Sequence, residues 1–149
     1  MSAQSPNPRR RRARELALKG LYERQVGHGD ADEIAASLEA DPEFADADRE
    51  YFRALWRGVT RGYDDLLDTL SPDVDRRVDG LAPIERALLV IGTWELAHRL
   101  EIPYRVVISE GIELAKRYGG TDGHKFVNAV LDRVAARLRA DEIRALRGA

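Results

Sequence analysis

The sequence predicts an all-α protein: two small helical bundles, about seven helices in all, sharing one central helix behind an arginine-rich N-terminal arm. Three observations predict it. Apolar residues recur three and four apart in every long segment, and no segment alternates with period two over strand length. Proline falls where helical segments begin, at Pro8, Pro83 and Pro103. The composition, with 34% charged residues and abundant Ala, Leu, Arg and Glu, leans the same way.

Residues 1–8 read as a polar, disordered tail, and 9–149 as a single domain with subdomains at about 9–80 and 81–149. In the first helix, Ala13, Leu16, Ala17, Gly20 and Leu21 form an apolar face that Gly27-His28-Gly29-Asp30 ends. A short helix through Ile34, Ala35 and Leu38 precedes Asp41-Pro42. The longest periodic run, Phe52 to Leu70 with an acidic lead-in, predicts one helix over about 47–70. Residues 76–82 form a connection. The helix from Pro83 to about Leu100 is apolar on nearly every side over Ala87–Trp94, which marks it as central. A helix follows Pro103. After the turn Gly119–Gly123, a last long helix carries Val127, Val130, Leu131, Val134 and Leu138 inward, and 141–149 add a final turn.

Charge is unevenly distributed. The net charge is −2, but Arg9, Arg10, Arg11, Arg12 and Arg14 give residues 1–14 a charge of +5, leaving −7 for the rest. Residues 30–50 alone carry nine acids against Arg49. A basic cluster at the start of a core-anchored helix suits a polyanion. Guanidinium groups bond phosphate bidentately and stack on bases, so RNA is the favoured partner. A helix-turn-helix reading of DNA lacks its polar recognition helix. The opposing reading is a solvated arm that binds nothing.

Catalytic constellations are missing. With no Cys there is no thiol chemistry, thiolate zinc site or disulfide framework. His28, His98 and His124 are scattered, and Glu95-x-x-His98 is a single copy of an element that di-iron bundles need twice, so it reads as a solvated ion pair or rim histidine. The stretch Gly119–Lys125 fails the phosphate-loop pattern because His124 intervenes, Phe126 follows the lysine and no strand precedes. It does deliver Asp122, Lys125 and Phe126 to the first turn of a helix, where an anion or a stacked base fits. Phe126 also lies four residues before Val130, so a plain core role stands beside the stacking role. No metal, cofactor, secretory signal or spanning segment is expected; the longest apolar stretch is under half of the ~20 residues a spanning helix needs. The expectation is a soluble, cytoplasmic protein that is not an enzyme.

Three patches together resemble the NusB family of bacterial transcription antitermination factors. They are Arg10-Arg11-Arg12-Ala13-Arg14-Glu15 with Leu21-Tyr22; Tyr51-Phe52, Leu55 and Gly58-Val59; and the run from Glu95 containing IPYRVVISEGIELAKRYG and HKFVNAVLD. The resemblance covers the chain after residue 8. It implies an all-α fold, monomeric or homodimeric depending on the member, and an activity of binding rather than catalysis. It further implies pairing with NusE, a ribosomal protein, recognition of single-stranded boxA RNA, and loading of an antitermination complex on RNA polymerase during ribosomal RNA transcription. By motif matching, the RNA-facing residues are Arg9, Arg10, Arg11, Arg12, Arg14, Tyr118, Asp122, Lys125 and Phe126, and Tyr22 and Glu85 face NusE. Residues 30–48 match no family pattern, though the body's acidity offers surface to a basic partner. Relatives fused to ribosomal RNA methyltransferases exist; the chain ends at Ala149 without one, so a stand-alone factor is expected. A helical protein–protein adaptor without RNA specificity is the alternative, and a carboxylate or histidine enzyme explains less.

Overall fold

The computed structural model describes residues 7–148, so the expected tail falls outside the described residues up to residue 6. Helix α1 (Pro8–Gly27) starts where Asn7 accepts the Arg10 N–H and Pro8 occupies the first turn. It stops at His28, whose left-handed φ of 58° aims its N–H at the Arg24 carbonyl. Helix α2 (Ala31–Ala40) is capped by Asp30, and a 3₁₀ turn (Pro42–Asp46) by Asp41.

The single helix expected over 47–70 is two, α3 (Arg49–Arg61) and α4 (Tyr63–Leu70). Gly62, with weak helix propensity, breaks helical geometry for one residue (φ −100°, ψ 17°). Its N–H still bonds the Gly58 carbonyl and its carbonyl accepts from Leu66, so the apolar stripe carries on into α4. Helices α5 (Pro83–His98), α6 (Tyr104–Tyr118) and α7 (Gly123–Leu138) lie where expected. The final turn is a full helix, α8 (Ala140–Gly148). The described residues thus hold eight α-helices and no strand.

Helix α5 packs both on α1, α3 and α4 and on α6 and α7, which makes it the shared central element. Leu88, Leu89, Val90 and Leu96 are buried within one apolar cluster that also includes Phe52, Leu55, Val107 and Leu131. Close approach of α3 needs Gly58, because a Cβ there would fall 2.0 Å from Trp94 Nε1. The far end of α5 is closed by buried Arg139, which donates to the carbonyls of Glu95, Leu96, Arg99 and Ile102. Leu96 is one of the last-turn carbonyls of α5, Arg99 and Ile102 belong to the segment that follows it, and the cation suits the negative end of the helix dipole. No helix among the described residues is long and apolar enough to cross a membrane.

Candidate nucleic-acid interface

The first two turns of α1 place four arginines outward or at the rim and one inward. Arg9 is exposed and donates to the carbonyls of Ala45 (3.4 Å) and Ala47 (3.0 Å), while its own carbonyl accepts from Asp48. Arg10 is half-buried over the Tyr51 ring, 4.4 Å from the centroid. Arg11 forms a bidentate pair with buried Glu110 at 2.9 and 2.7 Å, and this hydrogen bonding raises its pKa. Arg12 meets buried Glu15 at 2.6 Å and exposed Glu43 at 3.5 Å.

Arg14 departs from its expected role. It is 4% exposed, bonded to Glu95 at 2.8 Å and 3.7 Å from Glu110. Burial pulls against its charge, but Glu95, Tyr51 and Glu110 outweigh that and raise its pKa. A guanidinium enclosed by two carboxylates has no face for a phosphate, so Arg14 is a counter-ion of the core rather than part of an RNA surface. The sequence carries the reason: Arg14, Ala17, Leu18 and Leu21 share one helical stripe, and the last three are buried. Glu95 is likewise no solvated ion pair. It is buried, bonded by Arg14 and by the Tyr51 hydroxyl, and not paired with His98, whose ring lies beside Trp94. Burial first, and Glu95 second, push the Tyr51 phenol well above its ordinary range.

The second patch comes from the end of α6 and the start of α7. Tyr118 is half-buried and its hydroxyl donates to Glu15; burial and that bond raise its pKa. Arg117, which the sequence reading missed, lies 3.3 Å from the same carboxylate. Asp122 and Lys125 are exposed and 3.4 Å apart. Phe126 is half-buried: it packs against the core, and the Arg76 guanidinium covers it 4.9 Å from the ring centroid. Both roles weighed for Phe126 thus have a physical basis.

Among residues assigned to the partner, Tyr22 is 41% exposed and Glu85 only 6%. Glu85 turns inward to accept the Gly120 N–H at 3.0 Å, and a Cβ on Gly123 would fall 2.0 Å from its Oε2. It therefore pins the Gly119–Gly123 turn, and a direct surface contact through its carboxylate is closed in this structure. The acidic segment is only partly engaged: Glu43 faces Arg12 and Lys19, and Glu39 pairs with Arg49 and Arg53, whereas Asp32, Glu33, Asp46 and Glu50 are exposed. Buried Glu15, Glu95 and Glu110 went unrecognised in sequence, although Glu110 shares a stripe with Val107, Gly111 and Leu114. No group of three metal-ligating side chains occurs among the described residues.

These features define an all-α domain whose charged groups form a carboxylate-braced basic surface at the start of its first helix. The NusB family model matches residues 11–136, and the chain belongs to the NusB family of transcription antitermination proteins. A transcription antitermination protein NusB from Methylobacillus flagellatus is 51% identical over 144 residues, covering 94% of each chain. Its counterpart in Azoarcus sp. is 52% identical over 139 residues, covering 93% of this chain and 90% of that one. The crystal structure of T. maritima NusB superposes with a TM-score of 0.76 at 32% identity, covering 86% of this chain and 91% of that one. The relatives are named as transcription antitermination proteins, not enzymes.

Proposed function

We propose that this chain is a cytoplasmic antitermination factor that binds single-stranded boxA-type RNA together with the ribosomal protein NusE. In this role it joins an antitermination complex on RNA polymerase and supports ribosomal RNA transcription. The observation that carries the reading is the arm itself: Arg9, Arg10, Arg11 and Arg12 sit at the surface of a helix whose next turns are locked into the core. An ordered basic cluster loses less side-chain freedom on binding than a loose tail does. Asp122, Lys125 and half-buried Phe126, beyond Tyr118, supply a second contact with a ring for base stacking. Tyr22 is the exposed residue of the NusE-facing pair, and Glu85 acts on that partner through the turn it holds.

The test is a binding titration with boxA RNA, with and without NusE, over a salt series. Four phosphate contacts give a log–log slope of roughly −2.8, at ~0.7 per contact for single strands. A flat response removes the arm as an RNA contact and leaves the protein–protein adaptor, a reading favoured by the carboxylates already paired with Arg11 and Arg12. Phe126→Ala is expected to weaken RNA binding while the variant still melts cooperatively; unfolding would make Phe126 a core residue only.

A further inference from the structure

Resting on the RNA reading above, the geometry points to a backbone-phosphate clamp made by Arg12 and Arg117 and positioned by Glu15. Neither Arg117 nor Glu15 belongs to the surfaces assigned so far. The two arginines come from α1 and α6, 105 positions apart in sequence, and meet on the two oxygens of one carboxylate. Arg12 Nη1 lies 2.6 Å from Glu15 Oε1, and Arg117 Nη1 lies 3.3 Å from Oε2. Glu15 is 4% exposed, so it stands behind the two cations rather than beside them. Their side chains are 32% and 63% exposed.

Arg12 donates to Glu15 through Nη1, and Nη1 is the atom of Arg117 nearest that carboxylate. The remaining N–H groups of Arg12 and Arg117 have no hydrogen-bond partner among the described residues. A guanidinium carries five donors in a fixed plane, so each keeps donors for an oxyanion while anchored by the other edge. Two cations sharing one buried carboxylate leave a net charge of +1, which matches a single phosphodiester. The clamp opens on a groove of about 210 Å³ between α1 and α6, also lined by Arg11, Glu110, Glu113 and Leu114. Arg11 faces Glu110 through Nε and Nη2, and Glu113 is within 3.9 Å of Lys116. The acid that competes for Arg12 is Glu43, at 3.5 Å and mostly exposed, and an exposed pair of this kind is weak.

Glu15 also accepts from the Tyr118 hydroxyl, so one carboxylate sets the spacing between the arm and the patch that leads into the Gly119–Gly123 turn. It is a positioning residue, and its charge gives a test by sign. Electrostatics alone predicts that removing a negative charge beside the RNA tightens binding. Positioning predicts the reverse, because Arg12 and Arg117 lose their common anchor.

The experiment is a fluorescence titration of labelled single-stranded boxA-type RNA with the full chain and NusE, over a salt series. Arg117→Ala is expected to weaken binding about fivefold to tenfold and flatten the log–log slope by about 0.7, one phosphate contact. Lys116→Ala, the same charge change one residue away, is expected to leave the slope as in the wild type. Glu15→Gln is expected to weaken binding, and tighter binding would overturn the positioning role. If Glu15→Gln does not melt cooperatively, the Arg117 and Lys116 pair decides the clamp alone. A wild-type slope shared by Arg117→Ala overturns the clamp and leaves the RNA reading standing, whereas a flat wild-type response overturns both.

Discussion

In the first turns of α1, buried carboxylates hold guanidinium groups; at the start of α7, a buried carboxylate holds a backbone N–H. Glu15, Glu95 and Glu110 fix where cations point, whereas Glu85 fixes the path of the chain through Gly119–Gly123. The difference lies in what each brace controls. The arm's carboxylates divide its arginines into an inner one that stabilises the fold and outer ones left for a ligand. Glu85 pairs with no cation among the described residues, but braces the turn that carries Tyr118, Asp122 and Phe126. Charge is organised at one end of this surface and backbone conformation at the other.

The sharpest way to break that comparison is Arg14→Ala. It leaves Glu95 and Glu110 facing each other without their shared cation, and stripping one partner from a buried pair costs about 3–5 kcal/mol. Chemical denaturation is expected to show a loss of that order. If stability is unchanged, Arg14 is not a counter-ion and returns to the surface set. Glu85→Ala probes the other brace. It frees the exposed Gly120 N–H to water, so the stability loss is expected to be only about 1 kcal/mol. Binding of both boxA RNA and NusE is expected to weaken, because the turn and not the carboxylate is the common element; weakening of NusE binding alone would restore Glu85 as a direct contact.

Alkaline pH tests the arm's brace from the tyrosine side. The Tyr51 phenol is held above its ordinary 10.0 by burial and by Glu95. The stabilisation from the neutral phenol is therefore complete below pH 10.0 and is lost as pH rises beyond it, where the unfolded chain ionises first. Denaturation midpoints are expected to fall across that range, and more steeply in the wild type than in Tyr51→Phe. The smallest effect belongs to the acidic segment. Hydrogen bonding from Arg53 holds Glu39 below its usual value, so its contribution fades as pH falls through the folded-state pKa. This pair is solvent-exposed, and Glu39→Gln is expected to cost about 1 kcal/mol or less by thermal melting.

Much of the helix layout was legible because its signals are local. Pro8, Pro83 and Pro103 stand at or immediately before helix starts, the stripe over Ala87–Trp94 marks the shared helix, and the glycine turn marks the start of α7. The break at Gly62 was not, since the apolar stripe runs unbroken through it and one glycine inside a periodic segment is a weak signal. Of the candidate surface, Arg9–Arg12 and Asp122–Phe126 could be placed from composition and motif. Arg117 and the three buried glutamates could not, because, Arg12 beside Glu15 apart, the partners that enclose them lie far away in sequence: Glu15 lies 103 positions from Tyr118 and Arg14 lies 81 from Glu95.

The sequence by itself determined that this is a helical protein with five arginines at the start of its first helix, because periodicity and charge are properties of neighbouring residues. Only the tertiary structure decided what each arginine does. A guanidinium's role depends on which carboxylate packing brings within about 3 Å, and the helix turn sends Arg11 to α6, Arg14 to α5 and Arg9 to the segment before α3. A run of like charges that looks uniform in sequence thus becomes one core counter-ion and four surface cations.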